Sequence, residues 1–494
     1  MKKKIFPIDW RRMHPGQCPM STDLYYTALS NRVLKVLEDT DIETVLPHED
    51  MLHDAAVRLT AWFEDLCSGN NLWAVVNMVF QERFGKPLPF YDTSEYYSGE
   101  PNIQDIQFLL WDIIQSHYHD RVINPENSGI LMAAERIVNI FDEEFEIAPE
   151  TEEMMNFFAS PAIADDYWKA RKAIEWFSLD SYLSLRSSID LKEALSEEDY
   201  DRHFHVLAYS MRLGHVFVSQ RYLMQLTAAQ WLSMVTHREM NVDVTYGQTN
   251  GYEVIQRGDD IFLLRDILSG EELKVQTESF DLDWLKKTTP KVRKIFCQIV
   301  GYNGKFYQYG AMMPDPEKEH EEYMLESIRE RRRKEENARY SHGVFQQKAG
   351  APIVFLKGID ELLDFQTNVL GIKMTDDYRR HIKQYLQENT ENGMVAMMSD
   401  PEFGFLTISR SIPAIKAPNN PWYDQQYAKD NALDLIVEPM AIDYSAAVYL
   451  VENGMLPDAA INSNEGYEHG RQLLQANARY MVDYFFAKHE TNPS

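Results

Sequence analysis

Residues 261–275 read IFLLRDILSGEELKV. Apolar and polar side chains alternate up to Asp266, the pattern breaks at Ser269-Gly270, and it alternates again from Glu272. A period of two marks a half-buried strand, and a Ser-Gly step suits the turn between two of them. The chain on either side reads mostly as helix, so this stretch decides the fold class. Working outward, residues 241–313 keep the short period. VDVTYGQ, GYEVIQ, ELKVQ, RKIFCQIVG and KFYQYGAM read as further strands, and Arg257-Gly258-Asp259-Asp260 as a turn. Asn303-Gly304 supplies two neighbouring residues that accept positive φ, the requirement of a type I′ hairpin turn. Strands this short and this numerous leave two open edges if the sheet is flat. The expectation is an α+β chain, mostly helical and multidomain, with a small SH3-like or OB-like β-barrel in the middle.

The flanks predict the rest of the organisation. Residues 1–240 read as a helical domain. Ser21-Thr22-Asp23 is a run of capping residues ahead of LYYTALSNRVLKVLED, and EDMLHDAAVRLTAWFEDLCSG carries an apolar stripe that Gly69 can close. Residues 314–345 are charged almost throughout and predict an exposed helix or a linker. Residues 346–494 read as an α+β region, in which MVAMM and FGFLTIS flank a turn and GIDELLDFQTNVLG ends at Gly371.

The chain has 494 residues, 44% of them hydrophobic, enough for sizeable cores. Its formal charge of −28 repels nucleic acid and anionic membrane unless positive charge is gathered locally. Cys18, Cys67 and Cys297 lie far apart without a CxxC pair, which predicts a reducing, cytoplasmic setting. The basic opening MKKK is followed by no apolar run, and no stretch approaches the ~18 residues of a membrane span. No membrane partner is expected.

Metal and catalytic motifs fail on spacing. HEDMLH places His48 and His53 five apart, where the zinc-protease helix needs four. HYHD and DRHFH set His117 with His119, and His203 with His205, two apart. On a helix such pairs diverge. No GxSxG, SxxK, GxxxxGK[ST] or Rossmann glycine pattern occurs, so no cofactor and no metal is expected.

One local charge reversal stands out. From 284 to 313 there is no Asp or Glu, while Lys286, Lys287, Lys291, Arg293, Lys294 and Lys305 lie among Trp284, Phe296, Tyr302, Phe306, Tyr307 and Tyr309. Cations that track phosphates beside rings that stack on bases would suit single-stranded nucleic acid. The same cations can instead meet the many carboxylates of this chain or of a partner. The balance favours a binding protein that docks a protein partner over nucleic acid, through these cations and Tyr307. A hydrolase-type site between the helical domain and the barrel is the remaining reading.

Two resemblances add to this. KIFPIDWRRMHP, STDLYYTALSNRVLKVLE, FLLWDIIQ, APIVFLKGIDELLDF and LPDAAINSNEGYEHGRQLL together resemble an uncharacterised family from gut Bacteroidetes, a domain of unknown function. That resemblance implies no activity, cofactor or catalytic residue. FLLRDILSGEELKV with IFCQIVGYNGKFYQYGAM is similar to the central β segment of some bacterial proteins bearing a SEC-C zinc motif. There too a strand ending in Arg-Asp meets a Thr/Ser-Gly-Glu turn, but this chain has no Cys-rich SEC-C tail.

Overall fold

The computed structural model describes residues 4–46, 48–118, 121–184, 216–218, 220–221, 226–283, 285, 291–372, 374–389, 393–401, 404–408, 411–437, 441–455 and 459–490. Lys286, Lys287, Trp284, His119, His203 and His205 therefore lie outside the described residues. The chain is α+β and forms two compact units. One comprises residues 1–113, 128–329 and 490–494, the other 114–127 and 330–489.

The first unit begins with helices α1 (Pro7–Trp10), α2 (Asp23–Glu38), α3 (Glu49–Ser68), α4 (Leu72–Phe84), α5 (Ile103–Gln115), α6 (Ser128–Phe145), α7 (Glu152–Ala159), α8 (Ala162–Asp165) and α9 (Tyr167–Leu179). Helix α3 is central. Ala55, Ala56, Leu59, Trp62 and Phe63 are fully buried, and Phe63 stacks on Phe141 of α6 at 4.4 Å. His48 precedes its first turn, and Gly69, at φ +60°, ends it in the left-handed region that glycine occupies without strain. Thr22 stands at the N-cap of α2 but makes no cap bond; its hydroxyl turns inward to Thr151 at 2.8 Å. The expectation of helix alone up to residue 240 misses a two-residue ladder, β1 (Gln220–Arg221) with β2 (Leu226–Thr227), which leads into α10 (Ala228–Thr236).

The quoted stretch is β5 (Ile261–Asp266) and β6 (Glu272–Gln276), joined through Gly270 at φ +76°. They belong to a mixed six-stranded sheet with β3 (Val242–Asp243), β4 (Asn250–Arg257), β7 (Lys294–Tyr302) and β8 (Lys305–Pro314). Pairing runs β4–β5–β6, then β6 to β8 through one parallel bridge between Val275 and Phe306, then β8–β7, then β7 back to β4. Asn303 (φ +48°) and Gly304 (φ +75°) form the predicted β7–β8 turn. VDVTYGQ yields only two strand residues. Thr245 bonds back to Asp243 Oδ1 through its N–H and its hydroxyl, and that local turn stops the ladder.

Inside this ring of pairings lie Tyr252, Phe262, Leu264, Leu273, Val275, Ile295, Cys297 and Ile299. Full burial of each large apolar side chain contributes about 1.5–3 kcal/mol. β7 is buried on both faces, which is why KIFCQIVGY reads as a near-continuous apolar run. Its outward Phe296 packs under Leu325 and Ile328 of α11 (Lys318–Ala349). The 314–345 stretch is thus largely helix. It carries exposed pairs such as Lys318–Glu322 and Lys334–Glu330 at i,i+4.

The second unit has a three-stranded antiparallel sheet in the order β11 (Gly404–Ile408), β10 (Met394–Asp400), β9 (Ile353–Lys357). The β10–β11 hairpin is the expected one. β9, within APIVFLKG, was not expected as a strand because it is too short to show a period. Helices α12 (Gly358–Asp364), α13 (Asp376–Asn389), α14 (Gln425–Asn431), α15 (Asp434–Val437), α16 (Tyr444–Glu452), α17 (Tyr467–Ala476) and α18 (Ala478–Glu490) complete it. Phe345, Leu356, Leu362, Val395 and Met397 form one core. Among the described residues no helix is long and apolar enough to cross a membrane.

Candidate functional site

The register of the β7–β8 hairpin decides where Lys294 and Lys305 go. Ile295 pairs with Pro314 at one end and Tyr302 with Lys305 at the other. Lys294 opens β7 and Lys305 opens β8, so they stand at opposite ends of the hairpin, about 25 Å apart at ~3.3 Å per residue. A run that is continuous in sequence is divided in space.

Lys294 is engaged. Its ammonium bonds the Glu321 carboxylate of α11. The registers place it opposite Glu253, Glu253 opposite Arg265, and Arg265 opposite Glu272. Arg265 and Glu272 pair at 2.7 Å. This alternating row lies across the sheet's outer side, where each pair is worth about 0.2–1 kcal/mol. The Asp315 carboxylate accepts from the backbone N–H groups of Arg293 at 3.0 Å and Lys294 at 2.7 Å. The side chains of Lys291, Arg293 and Lys305 are exposed. The Val275–Phe306 bridge sets Lys274 beside Lys305, giving two neighbouring cations.

Three tyrosines of the patch face inward. Tyr307 is 6% exposed, and its ring lies on that of Tyr167 of α9 at 3.8 Å and 10°. Tyr302 donates its hydroxyl to Ala164 O at 2.6 Å, and Asn303 Nδ2 donates to the same oxygen at 3.1 Å. Tyr309 donates to Gly247 O at 2.7 Å and meets Phe217 edge-on at 4.9 Å. Burial pushes the Tyr302 phenol up to about 12 and raises Tyr307 and Tyr309 as well. A stacking platform needs a ring with an open face. These rings instead join the sheet to the helices.

Of the candidate ligands for a metal, His119, His203 and His205 lie outside the described residues. His48 precedes α3, and His53 reaches Asp9 at 3.9 Å. Among the described residues no group of three or more His, Cys, Asp or Glu side chains could hold a metal ion.

Sequence reasoning missed a buried polar network around α3. Glu64 Oε2 lies 2.9 Å from His14 Nε2, and Thr151 donates to Oε1 at 2.6 Å. Asp23 accepts from Arg11 Nε at 2.7 Å, and its other oxygen lies 3.7 Å from His14 Nδ1. Asp65 accepts from the N–H groups of Leu72 and Trp73, capping α4, and from the Tyr182 hydroxyl at 2.7 Å. Burial pushes Asp65 up to about 6 against those donors, and pushes the neighbouring Cys67 thiol up to about 12. A thiol so placed is no nucleophile at neutral pH. His14, Asp23, Glu64 and Asp65 are each under 5% exposed, so the network anchors residues 11–23, 151 and 182 to α3. In the sequence Glu64 and Asp65 fall, with Asp50, Asp54 and Arg58, on the polar half of an amphipathic helix, so no local signal marked them as buried.

A family model described as "Protein of unknown function (DUF3843)" matches residues 4–290 and 306–487. No curated protein and no solved structure matches.

Proposed function

We propose, for a chain that belongs to the family described as "Protein of unknown function (DUF3843)", that it acts by binding a protein partner through the central sheet. The observation that carries this reading is the contrast between the sheet's outward faces. β7 is covered by α11 at Phe296 and by the helical region at Tyr302. The outward residues of β5 and β6 are not: Ile261 is 37% exposed, Leu263 is half-buried and Lys274 is exposed, with Lys305 in register beside it. An apolar pair edged by cations suits a protein surface that carries carboxylates. The inward-turned tyrosines weigh against nucleic acid.

On this reading the ring of strand pairings is a small closed barrel of SH3-like or OB-like kind, and Lys291, Arg293 and Lys305 steer the partner. The similarity of the β5–β6 turn to the β segment of SEC-C-bearing proteins supports a shared module, without the zinc tail. The free thiols Cys18, Cys67 and Cys297 support a cytoplasmic setting.

Site-specific photo-crosslinking tests the proposal. A photoreactive residue at Leu263 should give one discrete protein adduct in cells. The same group at Tyr323, itself 73% exposed, should not. The double change Lys274→Glu, Lys305→Glu should remove the adduct. An adduct that nuclease digests, or equal labelling from both positions, would overturn the reading.

A further inference from the structure

In the segment between α4 and α5, residues 85–102, one tyrosine bonds to both helices. The Tyr96 hydroxyl lies 2.9 Å from Asn77 Oδ1 of α4 and 2.9 Å from Asp105 Oδ1 of α5. The Asn77 amide is oriented from its other end, because its NH2 donates to Pro87 O at 3.2 Å. Asn102 is oriented too: its oxygen accepts from the Asp105 N–H at 3.0 Å while its NH2 donates to Asp105 Oδ2 at 2.7 Å. Two acceptor oxygens, on Asn77 and Asp105, therefore face a hydroxyl that carries one hydrogen. Asp105 is 1% exposed, so water cannot supply the missing donor. A neutral Asp105 closes the hydrogen count. Asp105 carries a proton on Oδ1 and donates it to the tyrosine oxygen, and the tyrosine donates to Asn77.

We propose that Asp105 is a proton-operated latch: neutral, it lets Tyr96 fasten residues 85–102 across α4 and α5, and ionised, it releases them. The groups that act on Asp105 from the surrounding elements are Trp73 of α4, Tyr96 and Asn102, with no cation and no second carboxylate among them. Each of the three pulls the carboxyl down as a hydrogen-bond partner. Burial pushes the Asp105 carboxyl up to about 7. The fastened segment holds a strained residue. Phe90 sits at φ +67° with its ring 4.7 Å from Trp111, a backbone conformation that a bulky residue keeps only while its surroundings impose it.

The sign follows from linkage. The closed form holds the proton up to about pH 7, whereas an opened, hydrated aspartate holds it only to about pH 4. Closure is firmest at low pH, weakens toward about tenfold per pH unit between those limits, and levels off above them. Hydrogen–deuterium exchange of the full chain, read at pH 5, 6, 7 and 8 and corrected for intrinsic rates, tests this. Peptides from 85–102 should lose protection from pH 5 to 7 and then plateau. Asp105→Asn keeps a donor toward Tyr96 and an acceptor toward Asn102, so it should stay protected at every pH. Tyr96→Phe should be open even at pH 5, with far-UV circular dichroism confirming the fold. Protection in the parent that does not change with pH would overturn the latch, as would an Asp105→Asn variant that keeps the parental slope. Should Asp105→Asn fail to fold, the parent's profile and the openness of Tyr96→Phe at pH 5 decide the matter alone.

Discussion

Replacing Tyr307 by alanine separates a ring that holds the sheet to the helices from a ring that serves a ligand. Tyr307 is 6% exposed and stacks at 3.8 Å on Tyr167, so the change removes a buried aromatic side chain and its stacking partner together. Truncating a buried aromatic to alanine costs about 3–5 kcal/mol, and a well-placed ring pair accounts for about 0.5–1.5 kcal/mol beyond the area buried. The seam has sheet on one side and a single helix on the other, so it can relax more than a central core. The expected loss is about 3 kcal/mol. Phenylalanine keeps the ring, and the predicted loss for Tyr307→Phe is under about 0.5 kcal/mol. Urea unfolding of the parent, Tyr307→Ala, Tyr167→Ala and the double variant closes a cycle whose coupling should be about 1 kcal/mol. A labelled oligonucleotide titrated into the same four proteins supplies the second reading. If Tyr307→Ala loses less than about 1 kcal/mol while abolishing oligonucleotide binding that the parent shows, the seam assignment fails and the ring is a platform.

Other consequences are local and can be checked one at a time. Gly304→Val should lower stability by about 1–2 kcal/mol purely through the backbone, because φ is +75° and nothing lies within 4 Å of the new Cβ. A thermal shift assay should find Gly304→Asn milder than Gly304→Val. Gly470→Ala is predicted to be worse, about 3 kcal/mol, since its Cβ would fall 2.0 Å from Ile461 O and one backbone must move. Asp443 caps α16 through Ala446 N at 2.6 Å, and burial, with Asp400 adding to it, pushes its carboxyl up to about 7. A raised folded-state value in an acid favours the fold at low pH. Stability should fall by up to about 1.4 kcal/mol per pH unit between about pH 4 and 7, and Asp443→Asn should flatten that part of the profile.

Those features were unequally legible. The strands of 250–314 could be read because each carries its information locally: alternation in IFLLRD and ELKVQ, positive-φ residues at Gly270 and Asn303-Gly304. β9 was hidden because four apolar residues in a row fit a strand or a helix equally. The polar network on α3 was hidden for a different reason. Glu64 finds His14 and Thr151, which lie 50 and 87 residues away, and no local pattern announces such partners.

Lys294 and Lys305 of the cationic run are separated for a reason that applies to any hairpin. Proximity in sequence becomes proximity in space only within a turn or on one helical face. Along a strand each residue moves the chain about 3.3 Å onward and flips the side chain to the other face. Lys294 and Lys305, with eight strand residues and a turn between their positions, were bound to separate once β7 and β8 paired from Tyr302–Lys305 to Ile295–Pro314. What determines a strand cation's neighbours is the residue across the ladder. For Lys294 that residue is Glu253, which lies more than one strand upstream in sequence, with Glu321 reaching in from α11. For Lys305 it is the register with β6 that matters, because the bridge from Val275 to Phe306 brings up Lys274, a residue outside the charge-reversed run. A cation facing carboxylates is neutralised within the fold. A cation facing another cation leaves positive charge for something outside it. The cross-strand register therefore moves the centre of interest from the start of β7 to the Lys274–Lys305 corner, beside the exposed Ile261 and half-buried Leu263.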